Sequence, residues 1–102
     1  MSSTATVLDP NRIAKTWRSR GFTCETWGDV PGHEWVDRIN ESDELLVVLD
    51  GEVEIDLDGE TLHPEAGEEV VLPAWHRYTV RSVGETPTRW LLGSWADLAQ
   101  TD

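Results

Sequence analysis

Few side chains here can do acid–base, nucleophilic or metal chemistry, and they fall into none of the common reactive spacings. The chain has three histidines, His33, His63 and His76, one cysteine, Cys24, and a large excess of carboxylates. Cys24 has no second cysteine for a disulfide, a zinc site or a redox pair. His33 and His63 lie in turn-like stretches and read as surface residues. His76 reads as a pocket or rim histidine, held by Tyr78 or a backbone carbonyl. Glu52, Glu54, Asp56 and Asp58 alternate along one stretch. Carboxylates spaced in that way line one face of a strand without converging, so they form a solvated face and not a calcium site. Six tryptophans in so short a chain are enough to line a pocket for an aromatic or apolar ligand, with others in the core or an interface. Trp35, Trp75 and Trp90 fall nearest such a pocket, whereas Trp17 serves to dock a helix. No nucleophile–base pair, phosphate loop or dinucleotide fingerprint is visible, so hydrolase, kinase and dehydrogenase readings find no support.

These residues must be positioned by one small domain. At 102 residues the chain allows a single modest core. Its net charge of −12 comes from 20 acidic against 8 basic residues, and no Lys or Arg lies between Arg38 and Arg77. Nucleic acid and anionic membranes both need positive surface, so neither is an expected partner. The N-terminal MSSTATVLDP lacks the basic start and apolar core of a signal peptide, and no stretch is long enough to span a bilayer. A soluble, cytoplasmic protein is expected, with an acidic, lysine-poor surface that suits high solubility or a salt-rich cytoplasm.

The central stretch is Asp43–Glu60, DELLVVLDGEVEIDLDGE. Leu45–Leu49 is a continuous apolar run, the pattern of a strand buried on both faces. Glu52–Asp58 alternates strictly, acids on one side and Val53, Ile55 and Leu57 on the other, which suits a strand with one wet face. Asp50-Gly51 and Asp58-Gly59 follow the two runs. Asp-Gly favours tight hairpin turns, so a β-meander is expected. Upstream, Asp9 as N-cap and Pro10 at the first helical position start a short helix to about Ser19, with Ile13 and Trp17 on one face and Gly21 ending it. That helix should lie as a lid over a sheet edge or a partner subunit. Further strands are expected at Phe22–Trp27, Glu34–Asn40, Thr61–His63, Val70–Leu72, His76–Val83 and Arg89–Trp95. About eight short strands with turns between them predict an all-β barrel or sandwich.

The chain resembles a family over roughly Phe22 to Trp95. The run DELLVVLDGEVEIDLDGE, then Pro64, Gly67, Glu68 and Pro73 with His76 just beyond, is similar to the core of small single-domain cupins. Trp27-x-Asp29-x-Pro31-Gly32-x-x-Trp35-x-Asp37 and the closing Arg89-Trp90-Leu91-Leu92-Gly93 resemble a subgroup of them. The resemblance implies a jelly-roll β-barrel with an internal pocket, commonly a homodimer. The expected organisation is a tail and short helix over residues 1–21 and one barrel domain over 22–102.

Relatives carry two histidines two apart and a glutamate a few residues on, with one more histidine from a neighbouring strand; together these hold a divalent metal ion, Fe, Mn, Ni or Zn. Aligned on Glu44, the first two positions here are Arg38 and Asn40, so the resemblance leaves Asn40, Glu44 and His76 as a reduced ligand set. Arg38 cannot ligate, and a salt bridge from it to Glu44 would fill the vacated metal position. The second motif is two residues shorter, Pro73-Ala74-Trp75-His76, which puts the aim of His76 in question. The expected pocket residues are Trp35, Arg38, Asn40, Glu44, Trp75, His76, Tyr78 and Trp90. The leading reading is a small organic ligand in a barrel with a degraded metal site, Arg38 and His76 contacting its anionic or polar group. The alternatives are a divalent-metal oxygenase or isomerase and a non-catalytic dimeric scaffold.

Overall fold

The computed structural model describes residues 8–96; the expected N-terminal tail and the last residues of the expected barrel range lie outside it. One helix, α1 (Pro10–Ser19), precedes eight strands: β1 (Glu25–Asp29), β2 (Glu34–Arg38), β3 (Glu44–Asp50), β4 (Glu52–Leu57), β5 (Glu60–Leu62), β6 (Glu69–Leu72), β7 (Tyr78–Val83) and β8 (Thr88–Ser94). They form two four-stranded sheets, β1-β8-β3-β6 and β2-β7-β4-β5, antiparallel throughout. This is the jelly-roll arrangement, two sheets facing each other across one core.

β3 is buried on both faces for a definite reason. Leu46 and Val48 point between the sheets, where they meet Val53, Ile55, Val80 and Trp90. Leu45, Val47 and Leu49 point outward, where Trp17 and Ile13 of α1 cover them. The helix therefore lies across the outer face of a sheet and not along its edge. Asp9 caps it by accepting from the N–H groups of Asn11 and Arg12. Its end is a Schellman motif: the Phe22 N–H reaches the Trp17 carbonyl and the Gly21 N–H that of Arg18, with Gly21 at φ 94°. Trp17 donates its indole N–H to Glu69 at 3.0 Å, and Arg20 grips the same carboxylate with two nitrogens. Gly93 is required under this helix, because a Cβ there would lie 2.2 Å from the Thr23 carbonyl and 2.7 Å from the Trp17 ring.

β4 alternates as its sequence does. Val53 and Ile55 are buried, while Glu54 and Asp56 face outward and are bound by Arg81 on β7. The expected meander requires correction. Asp58-Gly59 is a true two-residue hairpin between β4 and β5, with both residues at positive φ, 54° and 84°. Asp50-Gly51 is not a hairpin: β3 and β4 belong to opposite sheets, and the turn is a corner between them. A Cβ on Gly51 would come within 2.7 Å of the Pro87 carbonyl, and Arg89 holds the Asp50 carboxylate at 2.7 Å. The corner is packed against the start of β8, which pulls β3 away from β4.

Candidate functional site

Between the sheets, near β1 and β2, lies a cleft lined by Trp27, Trp35, Arg38, Leu46, Tyr78, Val80, Trp90 and Leu92. It spans about 410 Å³ counted to its open mouth, but only about 60 Å³ can take the centre of a water molecule. Strand parity explains the lining. Trp27 pairs with Trp90 and Leu46 with Leu92, so all four point to one side of their sheet. Opposite them, Trp35 pairs with Val80 and Arg38 with Tyr78. Trp35 and Arg38 are three apart and would face opposite ways on a regular strand. A bulge between them restores a common face: Asp37 takes φ 52° and its N–H bonds the Thr79 hydroxyl at 3.0 Å. The guanidinium of Arg38 then lies 5.5 Å over the Trp35 ring, a cation–π contact at the mouth.

Glu44 sits beside Tyr78, 6% exposed. It accepts from the Tyr78 hydroxyl at 2.7 Å, from the Asn40 side-chain amide and from the Ser94 hydroxyl at 3.0 Å. Asn40 also donates to the Tyr78 oxygen at 2.9 Å. Burial, and then the Glu44 carboxylate, hold the Tyr78 phenol well above its usual range. Among the described residues no ion pair joins Glu44 to Arg38, contrary to the expected bridge. Three neutral donors satisfy the carboxylate instead.

Of the expected pocket residues, Trp35, Arg38, Tyr78 and Trp90 line the cleft, and Asn40 and Glu44 meet Tyr78. Trp75 and His76 are placed elsewhere. The Pro73–His76 turn is tied down by the Trp75 N–H to the Asn40 carbonyl and the Ala74 N–H to Asp43. In that short turn Trp75 takes φ 67° and is 67% exposed. His76 bonds neither Tyr78 nor a carbonyl through its ring; Nδ1 lies 2.9 Å from Asp58 on the β4–β5 hairpin. His33 and His63 are exposed and bonded to Asp29 and Glu54. Trp27 is a lining residue that sequence reasoning missed. Its only signal was its place in the Trp27-x-Asp29-x-Pro31-Gly32-x-x-Trp35 run that carries the resemblance; what brings it to the cleft is its long-range register with Trp90, which no local pattern shows.

A family model for the cupin domain matches residues 29–93. The chain belongs to the cupin family. A search of curated proteins finds no match. Solved structures agree on the fold. A conserved protein of unknown function from Streptococcus pyogenes superposes with a TM-score of 0.66 at 22% identity, over 74% of this chain and 65% of that one. A Cupin 2 conserved barrel domain protein from Salinispora arenicola gives 0.67 at 21%, over 78% and 67%. A mutant salicylate 1,2-dioxygenase from Pseudoaminobacter salicylatoxidans gives 0.66 at 24%, over 74% of this cupin but only 21% of that chain. At these identities the likeness is one of fold.

The metal that cupins commonly hold does not fit the residues present. Glu44 accepts from three donors, which fill most of its roughly four acceptor sites. A carboxylate only accepts, so Asn40 must turn its N–H₂ toward it and not its oxygen toward a cation. His76 is engaged with Asp58, and Arg38 brings a fixed positive charge to the mouth. Among the described residues no three His, Cys, Asp or Glu side chains converge as a ligand set.

Proposed function

We propose that this cupin binds a small organic molecule in the Trp27–Trp35–Trp90 cleft, its ring or apolar body between the indoles and an anionic group on Arg38. The observation that carries this is Arg38 itself. In a chain of net charge −12 it is stacked on Trp35 at the mouth of an apolar cleft, and no carboxylate pairs with it among the described residues. An incoming anion would supply that partner with a fork-shaped, charge-assisted contact. The cleft is too small for an extended substrate, so the reading is of one ring-sized group. Tyr78 and Glu44 satisfy each other at one side of the cleft, which leaves Arg38 as its charged contact for the ligand.

The metal-dependent oxygenase or isomerase reading rests on likeness of fold, and the donor set does not support it. A scaffold with a filled interior is disfavoured by the open cleft. The same reading places the protein in the cytoplasm as a homodimer without nucleic-acid or membrane partners. The acidic charge supports the lack of nucleic-acid and anionic-membrane partners, and the exposed apolar Val71 and Trp95 support contact with a second copy.

The test is calorimetric titration of chelator-treated protein with benzoate, a single ring carrying one carboxylate. Arg38→Ala should weaken binding at least about tenfold, about 1.4 kcal/mol. Arg89→Ala, which removes an exposed cation paired with Asp50, should leave it unchanged. Equal affinity in the two variants would contradict the proposal.

A further inference from the structure

Asp29 is a carboxylate, 9% exposed at its side chain, that ligand binding as described does not use. It closes β1 in one sheet, whereas Trp35 belongs to β2 in the other. Asp29 accepts the indole N–H of Trp35 at 2.8 Å, the Val30 backbone N–H at 3.0 Å and a hydrogen bond from His33 Nδ1 at 2.6 Å. Among the described strands no backbone ladder joins β1 to β2, so this side-chain cluster spans the sheets at the cleft mouth. The Trp35 ring meets Trp27 edge to face, 5.6 Å between centroids and 79° between planes, and carries Arg38 on its surface.

We infer that Asp29 is a positioning residue for the ligand cleft: it fixes the plane of the Trp35 indole against Trp27 and thereby sets the width of the mouth and the seat of Arg38. An indole has one hydrogen-bond donor. Edge contacts with other rings leave it able to tilt, and anchoring the N–H on a charged acceptor removes that freedom. His33 in turn holds the carboxylate from its exposed side. The effect on affinity rests on the proposed binding reading; the latch is a property of the free protein.

The experiment is hydrogen exchange of the Trp35 indole N–H by ¹⁵N NMR, together with benzoate affinity, in wild type, Asp29→Ala and Asp29→Asn. Asp29→Ala should speed Trp35 indole exchange at least about tenfold and weaken benzoate by a similar factor. Asp29→Asn keeps an oxygen acceptor and should retain slow exchange and most of the affinity. Unchanged exchange in Asp29→Ala, or an Asn variant as impaired as the Ala one, overturns the inference. If Asp29→Ala does not fold, Asp29→Leu, close to aspartate in volume but unable to accept a hydrogen bond, takes its place, and unchanged Trp35 indole exchange in that variant overturns it equally. If exchange responds as expected but wild type binds no benzoate, the latch stands and the ligand reading is what fails.

Discussion

Replacing Tyr78 by Phe removes one oxygen and keeps the ring that lines the cleft. That oxygen donates to Glu44 at 2.7 Å and accepts from Asn40 at 2.9 Å, and Tyr78 is only 6% exposed, so water cannot readily take its place. A hydrogen bond to a charged, buried acceptor contributes about 1.5–3 kcal/mol; with Asn40 and Ser94 still bound to Glu44, about 2 kcal/mol is the expected loss at pH 7. With a urea slope of about 1.5 kcal/mol/M for a domain of this size, the midpoint falls by somewhat more than about 1 M at unchanged slope. Alkaline pH adds an independent check. Tyr78 is held above its usual range by burial and then by Glu44, so the unfolded chain releases the phenol proton near pH 10 while the folded one keeps it. Wild-type stability from this group is therefore complete below about pH 10 and falls by about 1.4 kcal/mol per pH unit above it. The variant lacks that slope, so the gap between the two proteins narrows in alkali. Tyr78 is the only tyrosine, which makes its phenolate absorbance a clean second readout. Equal urea midpoints at pH 7, or a phenol that titrates normally in the folded protein, would refute the argument.

Trp17→Ala should cost about 3–5 kcal/mol by urea unfolding, because it empties the seam between α1 and β3 and orphans Glu69 from one donor. In acid, Asp56 is held down at about 2, against 3.8, chiefly by its bonds from Arg81. Stability from it is present above about pH 4 and is lost as pH falls toward 2, so Arg81→Ala should flatten the acid limb of the urea midpoint in that window. Added Mn²⁺, Fe²⁺, Ni²⁺ or Zn²⁺ should leave the melting temperature of chelated protein unchanged; stabilisation that disappears in Glu44→Ala would show that the carboxylate serves as a ligand after all.

The strands were legible because their apolar residues repeat with the period of a half-buried or fully buried strand, and α1 because Asp9, Pro10 and Gly21 mark both its ends. What local pattern cannot encode is which strands pair. Asp50-Gly51 and Asp58-Gly59 look alike in sequence, yet only the second closes a hairpin, because long-range packing against Pro87 and Thr88 turns the first into a corner. The cleft suffers in the same way. Arg38 joins Trp35 through a bulge at Asp37 that alternation alone would forbid. Trp75 and His76 leave the site because the turn after Pro73 is bound to Asn40 and Asp43, residues far off in the chain. Glu44 was recognisable by its resemblance to a metal ligand, but its actual partners come from three separate segments.

The six tryptophans allow one direct test of the binding claim. With ¹⁵N-labelled indoles, benzoate is titrated into chelated protein and each side-chain N–H resonance is followed. Trp27, Trp35 and Trp90 line the cleft, whereas Trp17 packs from α1 onto the outer face of β3, Trp75 is exposed on its turn and Trp95 packs on Phe22. Saturable shifts in the first three, with the other three still, are the predicted result. Shifts confined to Trp75 or Trp95, or no saturable shift in the cleft, would contradict it.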